Sequence, residues 1–298
     1  MNQFCLLALS ALMIAACASA PAPDAASGRF SDPATIDADF PPGIAEVSFD
    51  SHGDRLNGHI YLAGGADPHP TVILLHGFPG NEKNLDLAQA LRRDGFNVLF
   101  FHYRGAWGSE GVYSFTHVIE DVGAAAEFLR AKAADYRVDP ARLITIGHSM
   151  GGFAALQGAA RDPAIACTAG IAPANLGGRA FAFDANPEFE AGFRAYSDSL
   201  QMLAGYDGET GVAEIRNNAE AFELQNLTPG LAGKKVLIVG GDKDASVSLE
   251  DVVKPLIAAY EAAPEIETTG VVLSGDHSFS WSREALIDTV ADWAAGCR

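Results

Sequence analysis

Five residues, Gly147-His148-Ser149-Met150-Gly151, set a serine between glycines in the spacing G-x-S-x-G. A serine hydroxyl is a weak nucleophile at neutral pH. Acyl transfer through it needs a base to take its proton, a group to orient that base, and N–H donors for the oxyanion that attack creates. The chain carries candidates for each. His277 stands in Ser274-Gly275-Asp276-His277-Ser278-Phe279, two carboxylates compete in Gly241-Asp242-Lys243-Asp244, and His76-Gly77-Phe78-Pro79-Gly80 offers backbone amides. Pro79 has no N–H, which leaves Phe78 as one donor beside Met150, the residue after the nucleophile. His76, directly before a glycine at a strand end, reads as a brace for its loop rather than as the base. Ser149, an Asp at 242 or 244, and His277 follow one another in the order Ser, Asp, His.

These groups work together only if the backbone brings them to one place. Residues 143–146 are an apolar strand-like run and residues 153–156 open a helix-forming segment, so Ser149 sits at a strand-to-helix turn. Such a turn strains the serine backbone, and Gly147, Gly151 and Gly152 must be small for strand and helix to approach. A helix starting there points its free N–H groups and positive dipole end at an oxyanion on Ser149.

Seven further strands surround that one. Residues 45–50 and 56–63 alternate apolar with polar about Ser51-His52-Gly53-Asp54, which predicts an antiparallel hairpin. Strands are then expected at 71–75, 96–101, 164–171, 236–239 and 269–273. Helical spacing lies between them at 84–93, 118–133, 249–262 and 283–294, while 136–140 reads as a loop. A hairpin followed by alternating strands and helices predicts an α/β fold. Its sheet has eight strands, mostly parallel, with helices on both faces and the site at the carboxyl ends of the strands.

Residues 174–232 interrupt the alternation. They hold two weakly amphipathic stretches (188–203 and 213–224) and seven aromatics: Phe181, Phe183, Phe189, Phe193, Tyr196, Tyr206 and Phe222. An insertion of this length reads as a helical cap, its aromatics mostly its own core, over a largely apolar pocket. Residues 102–111 form a polar, Gly-rich loop. Tyr103 and Trp107 are candidates to line the pocket mouth, and Arg104 is a candidate for a structural ion pair.

Thirty-eight acidic against 20 basic residues give 298 residues a formal charge of -18, which argues against nucleic acid or an anionic membrane surface as partner. Residues 1–20 are expected to be a secretion signal, and 21–43 a linker to a domain spanning 44–298. Ile14-Ala15-Ala16-Cys17 resembles a bacterial lipoprotein box, with Cys17 lipidated as the membrane anchor. Ala18-Ser19-Ala20 offers an alternative cleavage site, disfavoured by Pro21. Either route places the protein in the periplasm or cell envelope. Of the remaining cysteines, Cys167 reads as a small buried hydrophobe, and a disulfide to Cys297 is left open. No zinc-binding spacing occurs, so no metal or other cofactor is expected.

Taken together, G-H-S-M-G-G, H-G-F-P-G and the Ser, Asp, His order resemble the α/β-hydrolase superfamily over about residues 44–295. The likeness is to serine esterases and to the dienelactone-hydrolase and prolyl-oligopeptidase-like branches. Tyr103-Arg104-Gly105 is similar to that family's turn after the strand following the oxyanion loop. The family's Gly-x-x-Asp pattern implies Asp244 as the acid, with Asp242 second. The resemblance further implies hydrolysis of a small-molecule ester through an acyl-enzyme on Ser149. A peptidase of the same fold and a non-catalytic surface-anchored binding protein are the alternatives.

Overall fold

Strands whose alternate side chains are all apolar must be covered on both faces, and this sets the layers. In the computed structural model, which describes residues 28–297, one sheet holds β1 (Gly43–Ser51), β2 (Asp54–Leu62), β3 (His69–Leu75), β4 (Asn97–Phe101), β5 (Val138–His148), β6 (Cys167–Ile171), β7 (Lys235–Gly241) and β8 (Glu267–Leu273). Their spatial order is β1-β2-β4-β3-β5-β6-β7-β8. The β1–β2 and β2–β4 pairs are antiparallel, and the rest are parallel. His52 and Gly53 both take positive φ, 56° and 93°, the hairpin turn whose twist matches that of its strands. The expected leader, with Cys17 and the Ala18-Ser19-Ala20 site, lies outside the described residues.

The helices are α1 (Leu85–Arg93), α2 (Phe115–Ala131), α3 (Ala133–Tyr136), α4 (Met150–Arg161), α5 (Leu176–Ala185), α6 (Pro187–Asp198), α7 (Gly208–Asn217), α8 (Thr228–Leu231), α9 (Lys254–Glu261) and α10 (Arg283–Ala295). β3 shows how they cover the sheet. Val72 and Leu74 join the apolar cluster of Leu91 from α1 and Val290 from α10, whereas Ile73 and Leu75 join that of Val122 from α2 and Phe153 from α4. Each of these four strand residues is fully buried, which contributes about 2 kcal/mol apiece.

Three local expectations are corrected. Residues 138–140 belong to β5 rather than a loop, because His69 extends β3 far enough to pair with Val138. The stretches 188–203 and 213–224 are displaced, as α6 ends at Asp198 and α7 runs from Gly208 to Asn217 behind a capping box on Asp207 and Thr210. Cys167 is bonded to Cys297, with Cα atoms 6.2 Å apart. The pairing arises because α10 packs on the face of β6 that carries Cys167.

Arg104 settles into the ion-pair role. Its Nε donates to Asp121 Oδ1 at 2.6 Å and a terminal nitrogen donates to Glu120, while Asp121 also accepts from Ser51 Oγ at 2.6 Å and the Arg104 amide at 2.7 Å. The Asp121 side chain is wholly buried and that of Arg104 is 5% exposed. Removing the cation strands a charge in low dielectric, so Arg104→Met is expected to lower unfolding free energy by about 3–5 kcal/mol. Urea denaturation of both proteins checks this; a loss below about 1 kcal/mol would contradict it.

Candidate active site

The parallel register brings four loops to one edge. Leu75 of β3 pairs with Gly147 of β5, His148 with Ile171 of β6, Ile171 with Val239 of β7, and Gly241 with Leu273 of β8. Ser149 follows β5 directly and has φ 57° and ψ -119°, a conformation that L-residues rarely adopt. It is held there by its amide donating to Ile171 O at 2.8 Å and by its carbonyl, which accepts from Ala174 N at 3.0 Å and Phe153 N at 3.1 Å. A Cβ on Gly147 would strike the Gly151 carbonyl, and one on Gly151 would strike that of Leu75.

Across the edge, His277 Nε2 lies 2.9 Å from Ser149 Oγ and its Nδ1 lies 2.7 Å from Asp244 Oδ2. The Asp244 side chain is fully buried, and its other oxygen accepts from the amides of Ser246 at 2.7 Å and Val247 at 2.9 Å. Burial alone would raise its pKa, but the hydrogen bonds from His277 and those two amides outweigh it and leave the carboxyl below its ordinary value. Asp242 is elsewhere. Its Oδ1 accepts from Gly275 N at 3.1 Å, and Asp242 N and Lys243 N donate to Leu273 O and Gly275 O, so it ties the loops after β7 and β8 together.

Phe78 and Met150 both lie beside Ser149. Gly77 is packed so closely that an added Cβ would come within 3.1 Å of Ser149 Cβ, and Met150 opens α4, where the first amides have no intrahelical partner. Both residues line a cavity of about 580 Å³ beside Ser149 and His277, walled by Phe189, Phe193 and Tyr196 of α6 and by Arg179 of α5. A second cleft, about 170 Å³, reaches Ser149 from the side of Pro79 and Ser278. The seven aromatics divide: Phe183, Tyr206 and Phe222 are buried, Phe189, Phe193 and Tyr196 face the cavity, and Phe181 is exposed. Tyr103 is not at the mouth; it is fully buried, and its hydroxyl donates to His76 O at 3.0 Å. Trp107 instead braces the loop after β3, donating from Nε1 to Pro79 O at 2.7 Å.

Two further histidines lie close to Ser149 in the strand ends that carry it and the Gly77-Phe78 loop, and the motif reading gave a role to only one of them. His76 Nδ1 lies 2.8 Å from Gly77 O and its Nε2 3.2 Å from His102 Nδ1. His148 Nε2–H donates to the carbonyl of His277 at 2.7 Å, with the two rings 4.7 Å apart. His148 was legible only as a filler of the x in G-x-S-x-G; its contact is 129 residues distant. Among the described residues no group of three His, Cys, Asp or Glu is placed to hold a metal ion.

With this geometry in view, the alpha/beta hydrolase family model matches residues 72–289. The chain belongs to the alpha/beta hydrolase family. An uncharacterized protein of Mycobacterium tuberculosis, Rv2307c, is 33% identical over 125 residues, which are 42% of this chain and 43% of that one. The chain therefore spans less than half the length of that relative. YfhR of Salmonella typhi is 28% identical over 74% of this chain and 70% of its own. Among solved structures, the Pyrococcus furiosus esterase Pf2001 aligns with a TM-score of 0.63 at 20% identity, covering 89% of this chain and 96% of its own. The carboxylesterase EstE1 from a metagenomic library also aligns at 0.63, with 21% identity over 87% and 91%. These alignments share the sheet and its helical layers.

Burial holds both flanking histidines neutral. It lowers His76 to about 4, and it lowers His148 to about 4 together with repulsion from His277. Unfolding restores an ordinary value near 6.5, so the unfolded chain binds more protons in acid. The stability these residues give is complete above pH 6.5 and is lost as pH falls toward 4. Together they should lower unfolding free energy by about 2–3 kcal/mol per pH unit below about pH 6. Denaturant midpoints measured from pH 7 to pH 4.5 check this, and a flat profile would mean that both imidazoles accept protons in the folded state.

Proposed function

We propose that this protein is a serine hydrolase that cleaves carboxylic esters with small or medium apolar acyl groups through an acyl-enzyme on Ser149. The observation that carries the reading is the continuous hydrogen-bonded chain from Asp244 through His277 to Ser149 Oγ, aimed into a cavity with apolar walls. As Oγ attacks the ester carbonyl, His277 Nε2 takes its proton, and Asp244 stabilises the positive imidazole and fixes its tautomer. The amides of Phe78 and Met150 receive the oxyanion, where loss of one donor costs about 3 kcal/mol. His277 then gives its proton to the departing alcohol. Water, deprotonated by His277, releases the acid and restores the hydroxyl. Each step uses side chains and amides of this chain. The esterases among its structural neighbours support an ester as substrate.

The expected leader at residues 1–20, with lipidation on Cys17, and the Cys167–Cys297 bond together support a place in the cell envelope, where disulfides persist. Metabolic lipid labelling that is lost in Cys17→Ala would support the anchor, and equal labelling of both proteins would refute it.

Hydrolysis of 4-nitrophenyl esters from acetate to dodecanoate tests the chemistry. Ser149→Ala should abolish turnover and fluorophosphonate labelling, and Asp244→Asn should lower kcat by about 10³–10⁴. Asp242→Asn should stay within about tenfold of wild type, since its hydrogen bond to Gly275 survives in part. Wild-type protein that is folded yet takes up no fluorophosphonate would overturn the serine-hydrolase reading in favour of a binding protein. Labelling without ester turnover would shift the substrate to amides.

A further inference from the structure

Arg179 is the unusual wall of the larger cavity. It projects from α5 of the insertion, lines the space beside Ser149, and also lines an adjoining cavity of about 490 Å³ reached by Ser246 and Val247. Its guanidinium lies 5.5 Å from the Phe189 ring centroid and 5.8 Å from that of Phe193. Among the described residues no carboxylate comes within 4.0 Å of it, although the protein carries 38 acidic side chains. Arg194 and Arg216 on the same insertion are paired with Glu190, Glu209 and Asp184.

The nearby acids are occupied or displaced. Asp251, on the second cavity, accepts from Ser248 Oγ at 2.8 Å, and Glu223 accepts from Asn175 Nδ2 at 2.5 Å. Glu188 lines the first cavity but is exposed at its rim. Burial lowers the guanidinium pKa, partly offset by Tyr206, yet an arginine remains charged at any pH the protein meets. Aromatic faces hold a cation in place without neutralising it. A planar donor fork, partly buried and without a carboxylate partner beside Ser149, suits a bidentate carboxylate.

From this we infer that the substrate is an ester bearing a carboxylate on one arm, and that Arg179 binds that carboxylate while Ser149 attacks the ester carbonyl. The inference rests on the serine-hydrolase reading above and revises its substrate class: the substrate is apolar only between its two ends, where the rings on α6 would contact it, and ends in a carboxylate. It also gives a reason for a cation set between the aromatic rings of the cavity wall in a chain with net charge -18. A purely structural Arg179, stacked to hold α5 on α6, would affect all substrates alike.

The test compares matched pairs. In one, 4-nitrophenyl hydrogen adipate is set against 4-nitrophenyl hexanoate; in the other, 5-acetoxypentanoate is set against pentyl acetate. For at least one pair, wild-type kcat/KM should favour the anionic member by about tenfold or more. Arg179→Met should bring that ratio to about one, and Arg179→Lys should restore part of it. Ratios near one for both pairs in wild type, or a preference unchanged in Arg179→Met, would overturn the inference. Calorimetry of hydrogen methyl adipate with Ser149→Ala separates it from the hydrolase reading. Binding that disappears in Ser149→Ala/Arg179→Met supports the carboxylate site even if no ester is turned over. Equal binding, or none in either protein, refutes it.

Discussion

The rest of the structure depends on how closely the start of α4 is pressed against the ends of β3 and β5. Gly147 has no room for a Cβ because of the Gly151 carbonyl, and Gly151 has none because of the carbonyls of Leu75 and His76. Of the three side-chain-bearing residues between them, this approach forces Ser149 into the positive-φ turn. The strain is opposed by pairing. The amide and carbonyl of Ser149 are both engaged, so the residue cannot relax without breaking bonds to Ile171, Ala174 and Phe153. The outcome is a hydroxyl pushed clear of the sheet, with the first amides of a helix behind it and the Gly77-Phe78 backbone beside it. A looser crossing would cost the site its geometry before it cost the fold much stability.

Electrostatics then arranges the groups around that hydroxyl. Asp244 is buried but kept charged by two amides and His277, so a negative charge faces the imidazole. His76 and His148 are also buried, yet neither is charged near neutral pH. For His148 that neutrality also bears on the proposed mechanism. In low dielectric, a second positive ring 4.7 Å from His277 would oppose its protonation by several kcal/mol. His148 instead donates its one hydrogen to the His277 carbonyl, fixing the loop that carries His277.

Much of this was legible because it is local. The eight strands stand out as apolar or alternating runs bounded by turn residues, and G-x-S-x-G needs only its flanking strand and helix to be recognised. Asp242 and Asp244 differ in the sequence only by their position in a four-residue pattern; in the folded protein Asp244 is the one that meets His277 Nδ1, with the Ser246 and Val247 amides on its other oxygen. What was illegible is non-local. Helix α5 begins with Leu176-Gly177-Gly178, a weak helical signal, and forms because Asn175 caps it and because Gly177 alone fits against the backbone of Ala219 and Glu223. The Cys167–Cys297 bond spans 130 residues, and nothing in the apolar run around Cys167 announces it. Arg179 likewise looks like any arginine on a short helix until the absence of a carboxylate beside it becomes visible.

The loop after β3 and the insertion after β6 are joined by one residue, and this limits how independently each can vary. The Phe78 amide belongs to the proposed oxyanion site, whereas its ring packs among Tyr113, Phe115, Phe193, Tyr196 and Tyr206 at 5.6–6.1 Å between centroids. The insertion is anchored to the same region from below, since Glu214 of α7 accepts from the first amides of α2 at Phe115 and Thr116. A change in the aromatic wall that enlarges the cavity therefore also moves the support of a backbone donor. Under the proposed mechanism, catalytic geometry on the sheet edge and selectivity on the insertion share a single side chain, so enlarging this pocket through its aromatic residues would alter turnover along with substrate size.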